Sequence, residues 1–355
     1  MRTHIWNILV LTGLSLSIAC PAVTGQASNR FPVNVDMKYG FIDSAGNVVI
    51  SPKYSSVGGF HEGLASVVRN DKWGFIDSTG TEVVPPTYSQ VTDFSDGVAL
   101  VMDESGRTGY IDHRLQITML NCIKPSPTHD FLGGEIAPPF SEGLTEIRSD
   151  NKTTYIDRSC TEVITYDGIG NGFAEGLAAV CSNDGKCGYI DHSGVQTIPL
   201  KFDAAERFFG GLALVKFADG WGYINRSGRF VVQPQFGSSS REFNEGLAAV
   251  EVDGKMGFIN VAGEFIIPAR YSAAWDFSEE IAGVQLLPVK KVVDGRTENI
   301  SGYELIFIDH SGAQSIAGNF IPAIPVGFSG GLAAITIWTG IGYINHKGHL
   351  VWPRP

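Results

Sequence analysis

The sequence predicts an all-β protein, a repeat array of about nine small three-stranded antiparallel meanders. Three observations lead there. An aromatic followed by Ile and then Asp or Asn recurs at Phe41, Phe75, Tyr110, Tyr155, Tyr189, Tyr223, Phe258, Phe307 and Tyr343. The nine copies are spaced by 34, 35, 45, 34, 34, 35, 49 and 36 residues, a period near 35 with two insertions. A second marker, Phe-x-x-Gly-Leu-Ala or a variant, falls between them at Phe60, Phe94, Phe140, Phe173, Phe208, Phe243, Phe277 and Phe328. Self-similarity at such a period denotes stacked supersecondary units.

Within a unit, the stretch after the Gly, such as Leu247 to Val250, has the small and β-branched residues of a packed strand. The next strand, Trp221 to Asn225, puts Trp221 and Tyr223 on one face and Ile224 on the other, because strand side chains alternate. The third, Phe230 to Pro234, stops at a residue without an amide donor; Pro52, Pro85, Pro199, Pro268 and Pro353 recur in that role. Between the second and third strands, Asp or Asn is followed three places later by Gly at Gly46, Gly80, Gly194, Gly228, Gly263, Gly312 and Gly348. This pattern fits a turn in which the side chain caps the backbone and Gly takes positive φ. A Gly before the marker aromatic, as at Gly74 and Gly222, fits close approach of a neighbouring chain.

Units of this kind, Trp-Gly-aromatic-Ile-Asp, then x-x-Gly, then Pro-x-Tyr, then Phe-x-Glu-Gly-Leu-Ala, resemble the WG (KWG) repeats of bacterial proteins. The resemblance spans Met37 to Pro353 and implies an interaction scaffold with no catalytic mechanism. Its repeat-core aromatics are the nine marker residues together with Trp73 and Trp221. Only those two keep the literal Trp; Tyr39, Thr108, Thr153, Cys187, Met256, Leu305 and Ile341 hold the place elsewhere.

No unit is visibly split between the termini, and nine exceeds the four to eight blades usual in a propeller. The expected shape is therefore a curved or superhelical array, with a closed propeller-like ring as the alternative.

Ahead of the repeats, Arg2 and the apolar run Ile5 to Ala19 resemble an export signal ending near Ala27, which leaves 28–355 as one repeat domain. In the alternative, a lipoprotein signal ends before Cys20, the lipid-bearing residue. No later run is long and apolar enough for a transmembrane helix. The expected location is periplasmic or extracellular, or anchored to the envelope by lipid. A disulfide between Cys181 and Cys187 suits that compartment, and Cys122 and Cys160 form a second candidate pair.

A formal charge of -11 without basic clusters argues against nucleic acid. No H-E-x-x-H, G-x-S-x-G, Walker-type or EF-hand pattern is present, so no catalytic residue, metal or cofactor is expected. His113, His192, His310 and His346 share one slot after the turn Asp or Asn, and Glu62, Glu142, Glu175 and Glu245 share another, with Asp96 and Glu279 in similar places. Repetition marks them as turn residues rather than a catalytic pair. The expected function is a non-catalytic protein-binding scaffold; the edge that carries the insertions at Met119 to Ala137 and Leu286 to Tyr303 is its candidate surface, with tolerated decoration as the alternative for those insertions. The alternatives are a binder of envelope polysaccharide through Trp275, Trp338 or Trp352, and a hydrolase with an unrecognised site.

Overall fold

The computed structural model describes residues 29–120, 138–149, 151–238, 240–287, 289–293, 296–301, 304–323, 326–338 and 340–353. Every regular element among them is a β-strand. The strands form nine successive antiparallel meanders, spanning 31–54, 56–88, 90–120, 144–166, 168–202, 204–236, 243–271, 273–322 and 328–352, here called the first to ninth sheets. The eighth and ninth are joined, since Ile321 and Pro322 pair with Thr336 and Ile335.

The expected three strands become four in most sheets, and we label them a to d. Strand a, missed from sequence, is Ala204–Ala205 in the sixth sheet and Ala273–Ala274 in the eighth. Two residues are too few to show an alternating pattern. A single residue, such as Ser55, Ser89 or Ser272, separates strand d of one sheet from strand a of the next, and its hydroxyl bonds the new sheet's strand b. Among the described residues the first and fourth sheets keep three strands. In the first, Pro32 stands at the strand-b position that faces strand a elsewhere, and proline has no N–H to leave unpaired there.

The Gly before each marker aromatic is explained by strand d. Pairing jumps from Trp221 opposite Phe236 to Tyr223 opposite Val232, so strand d bulges across Gly222. A Cβ on Gly222 would lie 2.7 Å from the Val232 carbonyl oxygen, and one on Gly257 2.6 Å from the Ala269 nitrogen. The turn from c to d is also as expected: Asp191 Oδ1 accepts from the backbone N–H groups of Ser193 and Val195, and Gly194 has φ of 77°.

The core is not one continuous interior but a set of clusters, each filling the gap between two neighbouring sheets. Between the fifth and sixth, Leu177, Ala179, Tyr189 and Ile198 meet Phe208, Ala213, Val215 and Ile224. The marker aromatics Phe41, Phe75, Tyr155, Tyr189, Phe258 and Phe307 are wholly buried, Tyr223 and Tyr343 nearly so, and Tyr110, Trp73 and Trp221 are half-buried. Each buried tyrosine of this set donates its hydroxyl into the next sheet: Tyr155 to Asn171 O at 2.9 Å, Tyr189 to Glu206 O at 2.7 Å, Tyr223 to Arg241 O.

The same arrangement joins the last sheet to the first. Leu332, Ala334, Tyr343 and Trp352 of the ninth pack with Phe31, Val33 and Ile42 of the first. Tyr343 donates to Pro32 O at 2.9 Å across 311 residues. The Phe31 and Tyr343 rings lie 5.5 Å apart, as the Tyr189 and Phe208 rings lie 4.8 Å apart. With no strand a, the first sheet supplies that ring from strand b.

Candidate functional site

In a meander the a–b and c–d turns share one edge, and the b–c turns share the other. At the first edge, the Glu-Gly turns between a and b place both residues at positive φ, 51° and 87° at Glu62 and Gly63. This is the primed turn that matches strand twist. It aims the carboxylate sideways at the next sheet. Glu62 accepts the Gly97 N–H at 3.1 Å and meets His113 Nε2 at 2.7 Å, and both partners belong to the third sheet. The His113 imidazole in turn stacks on Phe94 of its own sheet, with centroids 4.9 Å apart.

This latch recurs between neighbours. Glu142 holds Gly176 and His192, Glu245 holds Glu280 N–H and His310, and Glu279 holds Gly331 and His346. The imidazoles stack on Phe173, Phe277 and Phe328 at 4.2, 4.3 and 4.3 Å. Where the His slot holds Arg, the contact adapts: Arg158 reaches Asp96 at 3.1 Å and lies over Phe140, and Arg226 donates to Glu175 O. The recurring Glu and His are therefore partners across neighbouring repeats, a relation that reading each slot by itself does not reveal.

Three carboxyl groups depart from this pattern. Burial pushes the Asp93, Glu242 and Asp276 carboxyls upward from the ordinary range, against the opposing pull of His61, Arg207 and Arg241 respectively. At Asp93 both Ser66 Oγ and His61 converge on the carboxylate, at 3.2 and 3.4 Å. A nucleophile needs the imidazole between hydroxyl and carboxylate, so this trio orients side chains without activating Ser66. Among the described residues, no group of three or more His, Cys, Asp or Glu is placed to hold a metal ion.

The second insertion rises from the opposite edge, at the b–c turn of the eighth sheet, as a hairpin, Val289–Val293 paired with Arg296–Ser301. The first follows strand d of the third sheet; residues 121–137 lie outside the described residues, as do Cys122, and with it the Cys122 to Cys160 pairing, the Cys20 site and the export signal. Cys181 and Cys187 are directly paired across the b–c hairpin of the fifth sheet, at bonding distance with Cα atoms 3.9 Å apart. Of the three tryptophans, Trp275 and Trp352 are half-buried, and Trp338 is fully exposed at a b–c turn.

The family model described as WG containing repeat matches residues 39–73, 73–105, 188–220, 221–255 and 256–286. The chain is a WG-repeat protein. The third, fourth, eighth and ninth sheets carry the same WG-type meander through the regions outside or at the margins of those matches. Among solved structures, a crystal structure of the eukaryotic initiation factor is similar to the WG-repeat chain with a TM-score of 0.62 at 10% identity, covering 91% of this chain and 94% of that one. That likeness concerns fold alone. The computationally designed Ika8 protein has a TM-score of 0.43 at 14% identity, covering 82% and 93%, and BamB from Moraxella catarrhalis 0.37 at 13%, covering 79% and 91%. No curated protein matches the WG-repeat chain. Among the described residues no helix is long and apolar enough to cross a membrane.

Proposed function

We propose that this WG-repeat chain is a non-catalytic binding scaffold shaped as a closed ring of nine sheets. The packing of Phe31 and Val33 against Leu332 and Tyr343 carries the ring, because it repeats the contacts of every other junction. A ring closed by side-chain packing needs no unit split between the termini. Rigid repeat platforms present extended surfaces to partners.

The binding surface in this reading is the b–c edge with its two insertions, because the repeated polar groups of the other edge already bond neighbouring sheets. Loops set on a rigid frame are where recognition concentrates. The proposed location is outside the cytoplasm, periplasmic or extracellular, after removal of an N-terminal signal; the Cys181 and Cys187 pair supports an oxidising compartment.

The test is chemical crosslinking in the native envelope followed by capture of the full chain. A variant in which residues 288–303 are replaced by Asp-Gly, the turn of the seventh sheet, is compared with Glu142→Gln. The reading expects the crosslinked set to vanish with the hairpin and persist in Glu142→Gln. An unchanged set without the hairpin removes the proposed surface from that element.

A further inference from the structure

The repeat is regular enough that departures from it can be located, and two of them, Phe217 and Gln235, meet on the sixth sheet. A cleft of about 560 Å³ there is lined by Phe217, Asp219, Phe230, Gln233, Pro234 and Gln235. That size is within the range of small-ligand sites. Phe217 ends strand b and is 41% exposed; the same place holds Arg69 in the second sheet, Ser149 in the fourth and Val252 in the seventh. Phe230 begins strand d, where the seventh sheet also has a phenylalanine, Phe265, and Val48, Glu82, Glu162 and Gln196 stand in other sheets. The two rings lie 5.9 Å apart, and both lean on the buried Phe202 of the fifth sheet, at 6.3 and 6.0 Å. Their positions are thus fixed before any ligand arrives.

Gln235 is the second departure. Its counterparts Lys53, Lys201 and Arg270 lie over the aromatic that follows them, and Lys201 and Arg270 reach carbonyls of the next sheet, Gly228 O and Gly312 O, while Thr87 and Thr165 hold the place in the second and fourth sheets. In the sixth sheet that cation is replaced by an amide. Gln233, two places earlier, is a second amide beside the cleft.

We propose that this cleft binds a neutral oligosaccharide. Phenylalanine faces suit the C–H face of a pyranose ring. Two primary amides, each donor and acceptor, with the Asp219 carboxylate as a further acceptor, suit hydroxyl groups that play both roles. The lining holds no cation, which disfavours phosphate or uronate. Phe rings, unlike Tyr or Trp, also lack a polar handle for the carbonyls of a docked peptide. This assignment is independent of partner capture at the 289–301 hairpin.

Titration calorimetry of the full chain with cello-, malto-, manno- and chito-oligosaccharides tests it. At least one series binds with Kd between about 10 μM and about 1 mM. Phe217→Ala, and separately Gln233→Ala with Gln235→Ala, weaken that binding by about tenfold or more. Trp338→Ala leaves it unchanged, and melting temperatures check that each variant folds. No binding by any series overturns the proposal, as do binding that survives Phe217→Ala in a folded variant, loss of binding in Trp338→Ala, or Phe217-dependent binding of a proline-rich peptide in place of sugar.

Discussion

The junction between the fifth and sixth sheets and the one between the sixth and seventh share an apolar face but differ at the edge. In both, a buried Tyr donates across the gap, from Tyr189 to Glu206 O and from Tyr223 to Arg241 O. Both enclose a cluster of buried aliphatic and aromatic side chains. The first also has Glu175 bonded to Gly211 N–H and Arg226 on the Glu175 carbonyl, with Lys201 reaching Gly228 O. At the second, Gly210 replaces Glu, Val261 fills the His slot and Gln235 replaces Lys. The sheets still pack. Burial of several large side chains at about 1.5–3 kcal/mol each outweighs a few partly exposed hydrogen bonds worth about 0.5–1.5 kcal/mol each, so the apolar face defines a junction and the latch adds to it.

The largest expected effect comes from attacking the shared face. Phe258 is wholly buried between the seventh and eighth sheets, so Phe258→Ala lowers unfolding free energy by about 3–5 kcal/mol in denaturant titration. Gly257→Ala, whose Cβ would sit 2.6 Å from the Ala269 nitrogen, costs about 1–3 kcal/mol through forced backbone shifts. A cost near that of an exposed Gly→Ala change would break the account of the Trp-Gly pair.

A smaller effect sharpens the comparison. Removing Glu142 leaves the Gly176 N–H and His192 without their carboxylate. Glu142→Gln with His192→Ala in a double-mutant cycle gives a coupling of about 0.3–1 kcal/mol. Grafting the latch into the bare junction, Gly210→Glu with Val261→His, raises the melting temperature by a few degrees at most, and the Gly210 φ of 59° already suits the turn that Glu adopts elsewhere. A graft that destabilises the protein contradicts the equivalence of the two junctions.

The smallest effect is the response to acid. Side-chain hydroxyls of Thr79, Ser105, Ser193 and Ser311 are the main cause that holds Asp77, Asp103, Asp191 and Asp309 below the ordinary carboxylate range, Asp103 at about 2. Their folded-state pKa is depressed, so the stability they contribute is present above about pH 4 and is lost as pH falls toward about 2. Asp93, Glu242 and Asp276, raised by burial, act with opposite sign at higher pH. Thermal melts between pH 5 and 2 should decline progressively, and replacing Asp103 by Asn should flatten part of that decline.

Much of this fold is legible in the sequence, because its elements are announced locally. The Asp or Asn and Gly of seven c–d turns lie within four residues, Leu115 and Cys160 taking the positive-φ place in the third and fourth sheets, and the aromatic-Ile-Asp strand alternates over five. Strand a is hidden because Ala204–Ala205 carries no pattern. The latch is hidden for another reason: Glu62 and His113 are 51 residues apart, so the pairing emerges only when one repeat's acid is set beside the next repeat's His or Arg. Read that way, the sequence does carry the signal, since acid and base are lost together at Gly210 with Val261 and at Gly330 with Ser44. The contact of the two ends rests on Phe31 and Pro32, which replace the usual small residues of strand b and so disguise the first repeat. The sixth-sheet cleft is not announced by the repeat, because Phe217 and Gln235 depart from it.

The ring is tested most directly by a distance between its first and last sheets. Met37 and Trp338 are exposed at the b–c turns of the first and ninth, and packed sheets stand about 10 Å apart. Electron-spin distance measurement between labels at these two positions should give about 20 Å or less, allowing for the label arms. A separation approaching the roughly 80 Å that nine sheets stacked in an open row would span contradicts the ring.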